Sequence, residues 1–435
     1  MTSTNELVRS IGRWSLAALV LNSIIGSGIF ALPGTIAARL GAMSLLAWVV
    51  AALVIGTIMA CFGEVASRFT GAGGPYLYSQ AAFGRFFGLQ MGWMSYLVRI
   101  TAAATNINVF TTYFAEFWSP AGGRAGGALV TVLVLGMLAA VNVRGVKQGS
   151  RVSNVFAIAK ILPLVLFIAV GVVVATKNGG LAPAPPPTVS TAGGWVQVIL
   201  LLIYAYGGFE AALIPLAEAR EPRRDAPWAL FIGLVVCGIL FTLVQFGVLA
   251  TLSDPEGSTR PLAEAMRTVW GRTGAAMMAL AALVSTYGYL ATQMLNVPRL
   301  TYAMAERGDL PKVFGAVHRT FRTPHVSIVL FAALSVGLAV QGSLLQNLSL
   351  SAVSRLSTYG LICLALPVLR RADRSGDRPP ALLRLPAGNL IAALGVTFSV
   401  ILATRMSGRE AALLGVVVAI AFVHWLVVRR PARDA

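Results

Sequence analysis

The sequence predicts an all-α polytopic membrane protein of about twelve transmembrane helices, and three observations carry that prediction. The 435 residues are 57% hydrophobic and only 11% charged, too little charge to cover a soluble body of this length. Apolar runs of about 20 residues, enough to cross a hydrocarbon core of roughly 30 Å, recur along almost the whole chain. The mean hydropathy is +0.77, and no stretch between the runs is long enough to form a soluble domain.

The runs lie at about residues 14–38, 43–67, 86–118, 125–142, 152–176, 194–217, 228–252, 274–304, 325–342, 344–369, 385–404 and 410–428. The first is too long for a signal peptide and lacks a small-residue cleavage site, so it is expected to stay as a helix. The third and eighth have length to spare and are expected to tilt strongly. Ala182-Pro183-Ala184-Pro185-Pro186-Pro187 cannot be helical and is expected as an outer loop between spans five and six. Within residues 254–272, Pro261 ahead of Leu262-Ala263-Glu264-Ala265-Met266 predicts a short amphipathic helix on the outer surface, placed to cap an entrance. In the inner loop from Arg299 to His325, Gly308-Asp309-Leu310-Pro311 predicts a turn after a helix end.

The formal charge of +18 raises the question of a nucleic-acid partner, and the placement of the charge answers it. Of 34 Lys and Arg, about 23 fall in the termini and the loops of one side, about 8 in the opposite loops, and the rest within spans. This positive-inside bias puts both termini in the cytoplasm and makes the lipid bilayer, not a nucleic acid, the partner. Cys61, Cys237 and Cys363 each lie inside an apolar span without CxxC or His-paired spacing, so neither a disulfide framework nor a metal site is expected. No cofactor motif is present in the chain.

Two spans break the rule of an uninterrupted helix. Gly26-Ser27-Gly28-Ile29-Phe30 in the first and Tyr206-Gly207-Gly208-Phe209-Glu210 in the sixth place glycines inside apolar sequence. An opened backbone survives in a membrane only where it is buried in protein or lines a wet cavity. A pair of such interruptions, each followed by four further spans, points to a site at the membrane midplane between two five-helix repeats of inverted topology. The division is 14–180 for the first repeat, 194–371 for the second, and 385–428 for two additional helices, all within one transmembrane domain.

Four stretches carry a family resemblance. Asn22-Ser23-Ile24-Ile25-Gly26-Ser27-Gly28-Ile29-Phe30 with Pro33 lies in span one. Gly63-Glu64-Val65, Gly73-Gly74-Pro75-Tyr76-Leu77-Tyr78 and Phe83-Gly84 cover span two and the loop after it. Asn142-Val143-Arg144-Gly145-Val146-Lys147, continuing to Asn154-Val155-Phe156 and Lys160, joins spans four and five. Tyr206-Gly207-Gly208-Phe209-Glu210, with Glu218 and Pro222-Arg223-Arg224-Asp225-Ala226-Pro227, forms span six and its exit. In this order and spacing they resemble the amino acid-polyamine-organocation (APC) superfamily, bacterial amino acid permease type. The resemblance implies a LeuT-like 5+5 inverted repeat with helices 1 and 6 broken, and alternating access for an amino acid across a bacterial cytoplasmic membrane.

An amino acid brings a carboxylate and an ammonium, and a midplane site must satisfy both. The half-helix starting after Gly28 offers free N–H groups and the positive end of a dipole to the carboxylate, with the Ser27 hydroxyl beside it. Unwound carbonyls near Ile24 and around Tyr206-Gly207-Gly208 suit the ammonium. By resemblance, Ile24, Ser27 and Gly28 match positions that touch the substrate backbone. The competing reading of the glycines is close helix packing. Tyr204, Tyr206 and Phe209 are candidates to cover the substrate, against ordinary core packing. In span eight Tyr287, Thr292 and Gln293 are the polar candidates, and Gln293 aligns by resemblance with an outer-gate position that is often aromatic in relatives.

Lys160 lies about nine residues into span five, roughly 13 Å along a helix, too deep for easy snorkelling. The resemblance sets such a lysine against the unwound first helix, where sodium-coupled relatives hold a cation, so sodium-independent transport is expected. Its competing reading is a lysine that reaches the interface. Glu210 is the candidate proton-linked carboxylate, against a permanently neutral acid bonded to backbone. Glu64 is expected to pair with a loop arginine, while Arg99 and Arg355 lie deep in spans three and ten with no role assigned.

The expected function is a secondary active transporter of amino acids, neutral ones by its apolar lining, working by proton symport or exchange. A cationic amino acid or polyamine exchanger is the alternative, because Glu210 can meet a positive side chain. An intramembrane enzyme fits less well: there is no HExxH, and His318, His325 and His424 lie in loops or near the end of the last span. An ion channel would not need two breaks of this kind.

Overall fold

Each apolar run of the sequence is helical in the computed structural model, which describes residues 11–71, 73–145, 150–182, 188–189, 191–252, 254–255, 258–306, 308–374 and 380–428. The core of the expected Pro-rich loop, residues 183–187, and the outermost termini lie outside the described residues. The helices are α1 (Arg13–Ile24), α2 (Gly28–Leu40), α3 (Ser44–Ala66), α4 (Pro75–Phe83), α5 (Arg85–Phe114), α6 (Arg124–Val143), α7 (Ser150–Asn178), α8 (Ala192–Tyr206), α9 (Phe209–Ala212), α10 (Pro222–Thr251), α11 (Pro261–Glu306), α12 (His325–Gln341), α13 (Leu344–Arg374), α14 (Gly388–Ala403) and α15 (Gly408–Val428). Among the described residues there is no strand beyond a single bridge, in which Ile11 pairs with Ala219 and pins the start of the chain to the exit of the sixth span.

Span one is α1 plus α2 and span six is α8 plus α9, each interrupted at its glycines. Spans two to five are α3, α5, α6 and α7, span seven is α10, and spans nine to twelve are α12 to α15. Span eight is the second part of α11, whose helix leaves helical geometry at Trp270 and at Gly271 (φ 61°). The piece before that kink is the amphipathic helix expected from Pro261, and its Leu262, Ala263, Ala265 and Met266 are fully buried. The short helix α4 lies in the loop between spans two and three, where Gly74 at φ 52° turns the chain into Pro75. Gly308 (φ 72°) closes α11, with Asp309 N–H bonded to Met304 O at 2.8 Å, as the turn signal implies.

Among the described residues, eight helical runs are long and apolar enough to cross a bilayer, and α12 and α14 are shorter apolar helices. Large apolar side chains such as Leu133, Leu162, Phe231, Ile239 and Val423 are exposed on the outer surface, where lipid replaces water as solvent. Only 11% of the apolar window of α15 is buried, which marks it as peripheral.

The inner helices pack in crossed pairs. α1 packs on α9 and α10, and α2 packs on α8 and α10, so the halves of the first broken helix lie against the opposite halves of the second. α3 meets α10, α5 meets α11 and α13, α6 meets α12, and α7 meets α1 and α11, while α8 meets α3 and α13. Exchanging every span with the one five places later leaves this set of pairings unchanged: α1–α10 becomes α8–α3, and α5–α13 becomes α11–α7.

At the end of α3 the fully buried Glu64 holds two helices together. Its carboxylate accepts both fork nitrogens of Arg370 on α13 at 2.6 Å, Arg68 at 3.2 Å and the Leu385 N–H at 2.9 Å. The partners are thus a residue just past α3, as expected of a loop arginine, and one on the tenth span. Arg68 also meets Asp373. Removing one side of a buried charge pair leaves the other uncompensated, at a cost of about 3–5 kcal/mol. Glu64→Gln is therefore expected to lower the thermal stability of the detergent-purified protein by about that much, and an unchanged unfolding temperature would contradict the role.

Candidate functional site

The first span stops because Ile25 adopts φ −73°, ψ 86° and leaves the helical region. Gly26 N–H turns back to Ile24 O at 2.8 Å, and a new helix starts at Gly28. The carbonyls released at this end are met by Lys160, whose Nζ donates to Ile25 O at 3.0 Å and to Asn22 O at 3.3 Å. Lys160 is completely buried and does not reach an interface. On the other side of the break, Ser27 N–H donates to Asn106 Oδ1 at 3.2 Å, and the Ser27 hydroxyl lies 2.7 Å from Tyr204 OH. The N–H groups that open α2 have no carbonyl partner within their own helix.

The second break forms at Gly207 (φ −76°, ψ 163°) and Gly208 (φ 114°), the latter in the left-handed region that glycine alone enters without strain. Tyr204 O accepts from Arg355 Nη1 at 3.1 Å, and Gly208 N–H donates to Glu210 Oε2 at 3.0 Å. Glu210 also accepts from Tyr359 OH at 3.0 Å and faces two buried guanidiniums, Arg99 at 3.5 Å and Arg355 at 3.7 Å. Arg99 and Arg355, deep in two separate spans, therefore converge on one carboxylate.

Close approach joins the two breaks. A Cβ on Gly28 would stand 2.7 Å from Ala205 Cα, one on Gly208 2.2 Å from Ser23 O, and one on Gly207 1.9 Å from Arg355 Nη1. The packing reading and the site reading of these glycines are thus met by the same residues. Tyr204 is the hub: its hydroxyl bonds Ser27 and also accepts from Asn106 Nδ2 at 3.1 Å, and Arg355 stands 5.4 Å from its ring centre.

The other sequence candidates separate. Tyr206 points away from the first break, with its hydroxyl on Trp48 O at 3.1 Å and its ring against Trp48 and Phe241. Phe209 stacks on Tyr359 and meets Phe62 edge-on. Ile24 is buried toward Gly233 of α10, and its carbonyl holds the Gly26 turn. Gln293 donates to Tyr289 OH at 2.7 Å and lines a cavity shared with Arg299, Gly73 and Tyr76. That is the side of the basic loops, not the outer gate the alignment suggests. Tyr287 packs with a separate apolar cluster around Ile100 and Phe331, and the Thr292 hydroxyl is taken by Gly288 O.

Asn106 and Tyr289, not singled out in the sequence, stand next to the first break, both within reach of Gly26. An asparagine in mid-span was a usable signal for the first; nothing distinguishes Tyr289 from other aromatic residues of its helix before the fold is known. No group of His, Cys, Asp and Glu able to hold a metal ion occurs among the described residues.

Antiparallel broken helices, with their freed peptide groups met by buried polar side chains in the middle of a bundle of spans, define a membrane transporter rather than an enzyme. The chain belongs to the amino acid permease family, whose model matches residues 11–426. It is 27% identical over 444 residues to the branched-chain amino acid permease BcaP of Bacillus subtilis, covering 97% of this chain and 92% of that one. The serine/threonine exchanger SteT of the same organism is 27% identical over 344 residues, with 77% of each chain covered. The methylthioribose transporter of Bacillus subtilis is 26% identical over 391 residues, with 85% of this chain and 83% of that one covered.

The glycines give a paired expectation. Gly28→Ala drives a methyl into the Ala205 backbone, whereas Gly26→Ala meets nothing closer than 3.5 Å. Overpacking of this kind costs about 1–3 kcal/mol. Gly28→Ala should lower thermal stability by that amount and abolish transport, while Gly26→Ala keeps a folded protein; equal behaviour of the two variants would contradict the close approach.

Proposed function

We propose that the protein is a secondary active transporter of neutral amino acids, working by alternating access between two five-helix repeats, residues 14–180 and 194–371, with residues 385–428 peripheral. The pairing of spans that survives exchange of the two halves supports the repeats. The positive-inside distribution supports cytoplasmic termini in a bacterial inner membrane. The substrate carboxylate docks at Ser27, Gly28 and the start of α2, displacing the bond between Ser27 and Tyr204, and the ammonium meets carbonyls of the two breaks.

The single observation that carries the mode of coupling is Lys160 on the Ile25 and Asn22 carbonyls. An ammonium there already supplies the positive charge that the unwound carbonyls would otherwise take from a sodium ion. Transport is accordingly sodium-independent. Lys160, Arg99 and Arg355 set three buried cations against the one carboxylate of Glu210. That balance disfavours a cationic amino acid or a polyamine, which would add further positive charge to the same low-dielectric region.

Counterflow in proteoliposomes tests the proposal. Alanine, leucine, serine, arginine and putrescine are offered in turn. Saturable exchange of the neutral amino acids, unaltered when choline replaces sodium, is expected. A steep sodium requirement would remove the role given to Lys160, and exchange confined to arginine or putrescine would overturn the neutral substrate class.

Glu210 is the coupling carboxylate in this scheme. Its protonation would loosen the hold on Arg99 and Arg355, and Arg355 is itself bonded to the carbonyl of Tyr204 at the second break. A proton taken up at Glu210 is thereby felt where the substrate sits. Glu210→Gln should flatten the pH profile of uptake and slow transport about tenfold or more, since it leaves two guanidiniums without their shared anion. An unchanged pH profile would take Glu210 out of the coupling step.

A further inference from the structure

Arg99 carries a donor that the central cluster does not use. One fork nitrogen, Nη2, faces Glu210, while Nη1 is buried without a hydrogen-bond partner among the described residues, in a residue only 3% exposed. Leaving a buried charged donor unmet is costly, so the position calls for an acceptor that comes and goes. Arg99 lines a cavity of about 260 Å³ together with Ala211, Gln293, Asn296, Arg299 and Glu218. Ala211 follows Glu210 directly, so the cavity adjoins the second break. Gln293 is bonded to Tyr289, which lies against Gly26, so one wall of the cavity continues to the first break.

The charged residues of this lining are of both signs. Arg99 and Arg299 are cationic, and Glu218 is a half-buried carboxylate held in place where Ile11 N–H bonds its backbone carbonyl at 2.9 Å. Arg299 and Gly73, which also line the cavity, belong to the end of α11 and the loop after α3, on the side of the basic loops.

We propose that this cavity is a release site for the transported zwitterion: Arg99 Nη1 and Arg299 receive its carboxylate, and Glu218 receives its ammonium. The assignment rests on the amino acid transport proposed above. It adds a second, lower-affinity station between the paired breaks and the cytoplasm. The amino acid leaves the dipole end of α2 for a guanidinium that is already short of an acceptor. A small carboxylate without an ammonium fits the Arg99 and Arg299 half of the site alone.

Counterflow is measured in proteoliposomes of known orientation, using the amino acid that wild type exchanges best, with its concentration varied on one face at a time. Glu218→Gln and Arg299→Gln are expected to raise KM about tenfold from the basic-loop face, the loss of one charge-assisted contact, and to shift KM from the opposite face less than twofold. Propionate should inhibit wild type from the basic-loop face only. It should lose that effect in Arg99→Lys, which keeps a cation against Glu210 but removes the second nitrogen. An unchanged KM from the basic-loop face, an equal rise on both faces, or propionate inhibition from both faces overturns the release site. Absence of counterflow for every amino acid in wild type is a different failure, that of the transport reading itself.

Discussion

A peptide group freed from its helix inside hydrocarbon has no water to bond, and meeting that need at two breaks governs the arrangement of the central bundle. Lys160 from α7 closes the carbonyl end of α1, Asn106 from α5 takes the Ser27 N–H, and Arg355 from α13 takes the Tyr204 carbonyl. Each donor or acceptor comes from a different span. The breaks are therefore supported only when the whole set of helices is assembled, which couples the local opening of two helices to the global packing. It also keeps the two breaks pre-formed, because polar groups held by bonds of this kind have little conformational freedom left.

Much of this was legible before the fold was known, and the division follows physics. Span positions follow from apolar length alone, and Pro261, Gly308 and the two glycine pairs marked a helix start, a helix end and the interruptions, since each acts through its own backbone chemistry. Lys160 was legible because a lone ammonium nine residues deep has few ways to be satisfied. What stayed hidden was pairing. Arg99 and Arg355 were visible as buried charges, but that both meet Glu210 depends on α5, α9 and α13 converging, a fact of tertiary packing that no local pattern encodes. Tyr204 and Tyr206 are two residues apart on one helix and differ in the direction they face: the first bonds Ser27 at the first break and the second packs on Trp48. Gln293 was legible as polar, whereas the side it faces was set by the register of α11.

The balance of charge near the breaks has its own consequence. Glu210 shares two guanidiniums, so neither arginine is fully matched, and atoms of Arg99, Arg355 and Glu210 itself have no hydrogen-bond partner among the described residues. A network in which every member is satisfied is rigid, while one with spare donors can adopt a second arrangement at small cost. The clusters at the ends of the helices are built differently. Glu64 has four bonds from three residues, and Asp309 is held by Tyr76 at 2.6 Å and by Arg85 at 2.8 Å.

That contrast locates what can move. Asp309 ties the α4 helix and the start of α5 to the end of α11, and Tyr76 of that same tie lines the cavity next to Arg99. One wall of that cavity is thereby fixed to a charged clamp. The facing wall, Ala211, Pro215 and Glu218, belongs to the short helix α9 and the turns after it. α9 has a single turn, and its first residue follows a glycine at φ 114°. Motion that widens the cavity is therefore expected in the half of the sixth span beyond Gly208, and in the α1 segment packed on it, with the α4–α5–α11 side standing still. A hinge at Gly207 and Gly208 lies within a few residues of Tyr204 and Glu210, so motion there would shift the hydroxyl bonded to Ser27 and the carboxylate facing Arg99 and Arg355 together.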